Sequence, residues 1–153
     1  MATKAGIIVF EVKDYSGWIF GSEKNSHWTQ VLAYGDEKYM LYNPIKQNNG
    51  HIEALKQQLR KEKVPFYSVV VFYGNCELKK IDFIPNGRTF ITRPYNVLGV
   101  VNSIINNYKS ADYFDKANVV TVLKTAVKNG GNIETRNQHA NYVESLKLTE
   151  FNN

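Results

Sequence analysis

Glu11 and Lys13 stand two positions apart at the end of the run IIVFEVK, residues 7–13. On an extended strand such residues project to the same side with Cα atoms roughly 6.5 to 7 Å apart, so the two side chains can address one small volume beside a sheet. A hard divalent cation wants carboxylate oxygens, and a neighbouring ammonium can steady charge growing on a phosphoryl group or help deprotonate an attacking water. That chemistry is phosphodiester hydrolysis.

The triplet alone says little, because with this Glu and Lys content roughly one Glu-x-Lys is expected by chance and two occur, at 11–13 and 77–79. The second copy follows Gly74-Asn75 and reads as a solvated pair in a loop or at a strand end. The first shares its strand face with Ile7 and Val9, and a carboxylate partly withdrawn from water there costs roughly several kcal/mol unless a metal or donors offset it. The competing reading is an exposed pair worth about 0 to 1 kcal/mol.

The elements that must position this pair follow from periodicity. Residues 6–14 and 64–73 (VPFYSVVVFY) are nearly continuous apolar runs, as buried strands require. Residues 17–21, 27–32 and 38–42 form a meander between them, joined by the polar tip SEKNS and by Tyr34-Gly35-Asp36-Glu37. Asn43-Pro44 starts a helix over 44–62, with Ile52, Leu55 and Leu59 on its apolar stripe and Gln47, His51 and Gln58 on other sides. Beyond it come a turn at Pro85-Asn86-Gly87, a strand at 89–92 and a helix over 97–108 with Leu98, Val101, Ile104 and Ile105 inward. Two further helices are predicted at 112–128 and 134–147, split by Asn129-Gly130-Gly131-Asn132. The expected fold class is α/β (α+β), in one domain over 1–153 with a core at about 6–105 and a helical part at about 110–150.

Composition sets the bounds. With 153 residues and 43% apolar content the chain can fold as one globular domain. A net charge of +5 favours a polyanionic partner only modestly. The lone Cys76 excludes an internal disulfide, suits a reducing compartment, and reads as a small half-buried filler. No stretch approaches the roughly 20 apolar residues of a membrane span and the N-terminus is not a signal peptide, so no membrane partner and a cytoplasmic location are expected. There is no Ser/His/Asp order, paired cysteine or phosphate-cradling glycine loop, which argues against acyl transfer and nucleoside triphosphate use.

Read together, GIIVFEVKDYSGWIFGS, HWTQ, NPIKQNNGHIEAL and SVVVF resemble, in order across about 6–73, the nuclease-related domain (NERD) family of the PD-(D/E)XK phosphodiesterase superfamily. From there to about 105 the likeness is one of pattern, and the last two helices find no match. The resemblance implies a central mixed sheet flanked by helices, a restriction-endonuclease-like core, and Mg²⁺- or Mn²⁺-dependent hydrolysis of DNA. It makes Glu11 a catalytic metal ligand, and Lys13 the group that positions or activates water and steadies the phosphorane. Gln47, Asn48 and His51 match the family's Gln-Asn and His block on the first turns of the helix. Gln47, a further catalytic group, and His51 lie one turn apart and can both face the site, with Asn48 and His51 as nucleic-acid contacts. Gln30, two residues from Trp28, either lines the site as a nucleic-acid contact or is solvent exposed. Without the resemblance His51 reads as a packed or capping histidine. Trp18, Phe20 and Trp28 read as core and hairpin packing, and Arg60, Lys61 and Lys63 as cations that offset a helix dipole.

The chain also departs from the family pattern. The family carries an amphipathic helix and a strand with an acidic residue before the GIIVFEVK segment. This chain begins at Met1 with neither, and Asp14 is too late and on the wrong face to substitute. The expectation is therefore an N-terminally truncated nuclease with weakened metal binding. The alternative is a catalytically degenerate nucleic-acid-binding or protein-interaction module on the same scaffold. With nothing ahead of the first strand to cover one face of the sheet, a homodimer through an exposed sheet edge is a further expectation.

Overall fold

The computed structural model of the chain describes residues 1–130. By contact it divides into a unit Met1–Phe114 and a second unit beginning at Asp115. The first unit carries two four-stranded sheets in place of the single central sheet expected from sequence. Its strands are β1 (Ala2–Thr3), β2 (Gly6–Asp14), β3 (Gly17–Ser22), β4 (His27–Leu32), β5 (Glu37–Tyr42), β6 (Phe66–Tyr73), β7 (Cys76–Asp82) and β8 (Thr89–Thr92). Its helices are α1 (Pro44–Gln58) and α2 (Val97–Asn107). The second unit's described helix is α3 (Lys116–Gly130). The helix expected at 134–147 lies outside the described residues.

One sheet runs β1-β2-β6-β8 and the other β5-β4-β3-β7, each mixing parallel and antiparallel pairs. This mixed α+β arrangement is consistent with an α/β restriction-endonuclease-like core. The sheets are two stretches of the same chain pair, because β2 and β6 run parallel in the first and their continuations β3 and β7 run parallel in the second. Between them the backbone bends, while Tyr15 N still donates to Tyr73 O at 3.4 Å and Gly17 N to Asn75 O at 3.2 Å. Gly74 takes φ +78° at this bend, and a Cβ there would run into the Asp14 carboxylate and the Tyr15 carbonyl, so the position needs glycine.

Apolar matter lies on both faces of the first sheet. Ile8, Tyr67, Val69 and Val71 pack with Ile104 of α2 and with Phe10, Phe90, Val97, Val100 and Val101. Thus α2 covers the face that the sequence seemed to leave bare. Within α2, however, Leu98 is 76% exposed, so the inward stripe is Val97, Val100, Val101 and Ile104. On the other side Ile45 of α1 joins Ile19, Trp28, Val70, Phe72 and Cys76, with Trp28 stacked on Phe72 at 5.9 Å.

Two other expectations change. Of the two places expected for residues 77–79, a loop or a strand end, they take the second, at the start of β7, and α1 ends at Gln58 rather than 62. Strand β1 pairs with β2 at Gly6 and Ile7, so part of the edge thought open is occupied. Among the described residues, β2 from Phe10 onward has no strand partner on that side.

The candidate active site

Glu11 and Lys13 face α1 from β2, paired in register with Val70 and Phe72 of β6. Their side chains meet, Lys13 Nζ lying 2.7 Å from Glu11 Oε1, with only 15% and 11% of the two side chains exposed. The same ammonium donates to Gln47 Oε1 at 2.8 Å. His51 Nε2 stands 3.5 Å from Glu11 Oε2, its ring half exposed. Four of the six residues singled out by sequence, Glu11, Lys13, Gln47 and His51, therefore converge.

The other Glu-x-Lys triplet serves as a control within the same chain. Glu77 and Lys79 also pair, at 2.8 Å, but their side chains are 61% and 38% exposed. The contrast separates a solvated pair, worth about 0 to 1 kcal/mol, from one held in a pocket.

Helix α1 is placed by two asparagines. Asn43 caps it, its Oδ1 accepting from Ile45 N at 2.9 Å and Lys46 N at 3.3 Å. The Asn43 amide nitrogen donates to the carbonyls of Ser22, Glu23 and Asn25 at the β3–β4 tip. Asn48 is fully buried and donates to Val9 O at 2.9 Å and Ser68 Oγ at 2.8 Å, tying the helix to β2 two residues before Glu11. Asn48 thus lies in the interior and not on a surface that meets nucleic acid, because it continues the buried stripe Ile45, Ile52 and Leu55. Gln30 likewise acts on the scaffold, donating to Ser16 O at 2.8 Å where β2 turns into β3.

Electrostatics follow from this packing. Burial pushes the Glu11 carboxyl pKa up, but hydrogen bonds from His51 and Lys13, together with their charges, outweigh it and leave the carboxyl below its ordinary value of 4.5. The folded state therefore binds this proton more weakly than the unfolded chain, so Glu11 stabilises the fold above its unfolded pKa. That contribution disappears as the pH falls through the folded value, below 4.5. Urea melts across the acid range check this: Glu11→Gln should flatten the fall in stability that the wild-type chain shows there.

Tyr15 was missed by the sequence reading. Burial, and then the Glu11 charge, raise its phenol pKa, so it remains a neutral hydroxyl in the field of the carboxylate. The signal was present, since Tyr15 continues the alternation of Glu11 and Lys13 past the strand end at Asp14. Cys76, read as a half-buried filler, is buried, and the Arg93 guanidinium donates to its sulfur at 2.9 Å. Trp28 is core, as expected, whereas Trp18 and Phe20 line an open groove of about 510 Å³ with Lys38, and Lys79 sits 5.2 Å over the Trp18 ring. That groove does not include the Glu11 cluster.

The donor set around Glu11 is one carboxylate, the Gln47 amide oxygen and the His51 imidazole. Among the described residues no group of three or more His, Cys, Asp or Glu side chains could hold a metal ion. Mg²⁺ commonly keeps several waters and takes only one or two carboxylates beside substrate phosphate. Glu11 is the one carboxylate of this cluster, and its two oxygens face Lys13 and His51.

Comparison with known proteins agrees with this part of the chain. Residues 1–73 match the family model described as "Nuclease-related domain". An uncharacterized protein of Bacillus anthracis is 38% identical over 79 residues, which cover 52% of this chain and 36% of that protein. This chain thus spans about a third of its relative's length. No solved structure matches. No helix among the described residues is long and apolar enough to cross a membrane.

Proposed function

We propose, from the match of residues 1–73 to the model described as "Nuclease-related domain", that this chain hydrolyses phosphodiester bonds in DNA with the help of Mg²⁺ or Mn²⁺. One observation carries the reading: Lys13 Nζ, buried beside the sheet, is held between Glu11 Oε1 and Gln47 Oε1 at 2.7 and 2.8 Å. In hydrolysis a water oxygen bonds to phosphorus, the bond from phosphorus to the leaving oxygen breaks, and a proton is lost from the attacking water.

Glu11 would hold the divalent ion, which when bound supplies a Lewis acid for the phosphate oxygens. Lys13 sets its positive charge where negative charge grows on the phosphoryl group and orients the attacking water. Gln47 fixes the Lys13 ammonium from the helix side. His51, half exposed, would meet the incoming backbone of DNA. A site of this kind in the reducing cytoplasm fits a chain whose lone cysteine forms no internal disulfide.

Supercoiled plasmid incubated with the full-length gene product tests the proposal. Nicking in Mg²⁺ or Mn²⁺ that stops on chelation is the expected result, and no cutting with either ion would remove the enzymatic reading.

The single carboxylate at the site favours one alternative, a nucleic-acid-binding or protein-interaction module that keeps the scaffold without turnover. In that case millimolar Mn²⁺ leaves the melting temperature unchanged, because only ligands of the native state raise it. The stretch of β2 beyond Ile8 that lacks a strand partner among the described residues is the edge through which two copies would pair.

A further inference from the structure

The open groove lined by Trp18, Phe20 and Lys38 lies on the face of the second sheet turned away from the core. We propose that it binds single-stranded DNA, with bases stacking on Trp18 and Phe20 and phosphates meeting Lys38. Such a site takes its ligand from the DNA reading above and is independent of turnover at Glu11.

Alternation along three strands builds the groove. Ile19 of β3, Trp28 of β4 and Leu41 of β5 turn inward to the core that Ile45 of α1 joins, so residues next to them in sequence face the other way. Trp18 stands opposite Val31 and Phe20 opposite Thr29, while Val31 is in register with Lys38. Thr29 and Val31 therefore form a floor, with rings along β3 on one side and the Lys38 ammonium along β5 on the other. The two walls rise from strands two spacings apart, roughly 9.5 Å.

An aromatic wall facing a cationic one suits a ligand that is flat and apolar on one side and anionic on the other. A nucleotide is such a ligand, because every base has a face that can stack on a ring and every phosphate attracts lysine. In a duplex the bases already stack on one another, so a single strand is the form that fits. Thr29 supplies the one hydroxyl of the lining, and a ribose 2′-hydroxyl gains little there that DNA lacks. The chain's net charge of +5 also draws a polyanion.

The neighbours of these residues support the assignment. Lys79 lies 5.2 Å over the Trp18 ring and is paired with Glu77 at 2.8 Å. It comes from β7, which borders β3 on the side opposite β4, so it braces the ring from behind and leaves the groove side open to a base. Glu37, the acid beside Lys38, falls on the opposite face of β5, where the Tyr39 hydroxyl donates to it at 2.9 Å. Tyr34, next to Gly35 of the lining, is 98% exposed at φ +57°, a left-handed conformation that is costly for tyrosine. Packing within the chain does not repay that cost, and a further base against the ring does.

The test is fluorescence anisotropy of a labelled oligodeoxyuridylate of about 12 nucleotides, in EDTA so that metal-dependent cutting is stopped. Trp18→Ala should weaken binding about tenfold, as expected for one lost stack, and Trp18→Phe, which keeps a ring, by less than about threefold. Lys38→Ala should lower the slope of log K against log salt by about 0.7, the share of one phosphate on a single strand. Binding should quench tryptophan emission in the wild-type chain and not in Trp18→Phe, where the buried Trp28 is the tryptophan that remains.

Circular dichroism checks that each variant is folded, and Trp18→Leu replaces Trp18→Ala should the latter not fold. Equal affinity of wild type and the folded Trp18 variant overturns the proposal, as does an absence of binding at low salt. Tighter binding of the matching oligouridylate overturns the assignment to DNA. A wild-type dimer in sedimentation velocity that Trp18→Ala dissociates also overturns it, because the groove then holds a second copy. Plasmid nicking, run in parallel, keeps the two readings apart. Nicking with no effect of Trp18→Ala on oligonucleotide binding removes the groove and leaves the nuclease, whereas groove binding without nicking does the reverse.

Discussion

Lys13→Ala should abolish Mg²⁺-dependent nicking of plasmid DNA by the full-length gene product, with a loss of at least about 100-fold. Removing one preorganised group that meets charge developing in a transition state costs roughly 10²- to 10³-fold in turnover. In the proposed reaction Lys13 would be such a group: its nitrogen is held from two sides, by Glu11 at 2.7 Å and Gln47 at 2.8 Å. Arginine should not rescue, because its planar fork cannot take the place of a compact ammonium between two oxygens. The assay belongs at a temperature where the variant is folded, since Lys13→Ala leaves Glu11 buried without its ammonium partner. Glu11→Gln and the double variant should fall to nearly the same residual rate, as groups acting in one unit do. A Lys13→Ala protein that cuts like wild type would remove the mechanism.

That cluster was legible from two periods. Alternation along β2 put Glu11 and Lys13 on one face, and one helical turn put Gln47 and His51 on another, so the sequence needed only α1 packed against β2 to join them. Asn48 was read as a nucleic-acid contact from the family's Gln-Asn block, whereas in the fold it extends a buried stripe. The apolar positions Ile52 and Leu55 continue backwards at helical spacing to Asn48 and Ile45, all buried. A polar residue in that line is buried for the bonds it makes.

Strand β7 was hard to see for a related reason. It turns Leu78 and Ile81 toward the core and sends Glu77, Lys79 and Lys80 outward, and the register shift between Ile19 and Phe20 breaks its alternation. An edge strand with one wet face and a bulge has little apolar signal to offer. The division into two sheets was also hidden. It depends on the bend carried by Gly17 and Gly74, at φ +72° and +78°, and a single glycine in sequence does not say how far a strand turns.

The largest effect on stability is expected at Asn43, outside the chemistry. Its side chain closes both ends of one junction: Oδ1 caps α1 at Ile45 N and Lys46 N, while Nδ2 donates to three carbonyls of the β3–β4 tip. Asn43→Ala removes a cap worth about 1 kcal/mol. It also withdraws the Nδ2 donor from those carbonyls, at about 1 to 3 kcal/mol for a buried group left unsatisfied. A loss of about 3 kcal/mol in urea melts is therefore expected. Two further variants divide that loss. Asn43→Ser restores an acceptor for the cap and no donor for the tip, so it should recover only about 1 kcal/mol. Asn43→Asp keeps the cap but sets a carboxylate against the carbonyls of Ser22, Glu23 and Asn25, and should be no better than alanine. A serine variant as stable as wild type would show that the cap alone matters and that the tip is held by other bonds. The consequence reaches the site, because the cap fixes where α1 begins, and Gln47 N donates to Asn43 O at 2.9 Å on the first turn. A helix that frays there loosens Gln47 from Lys13, so nicking should fall further in Asn43→Ala, which loses the cap, than in Asn43→Ser, which keeps it.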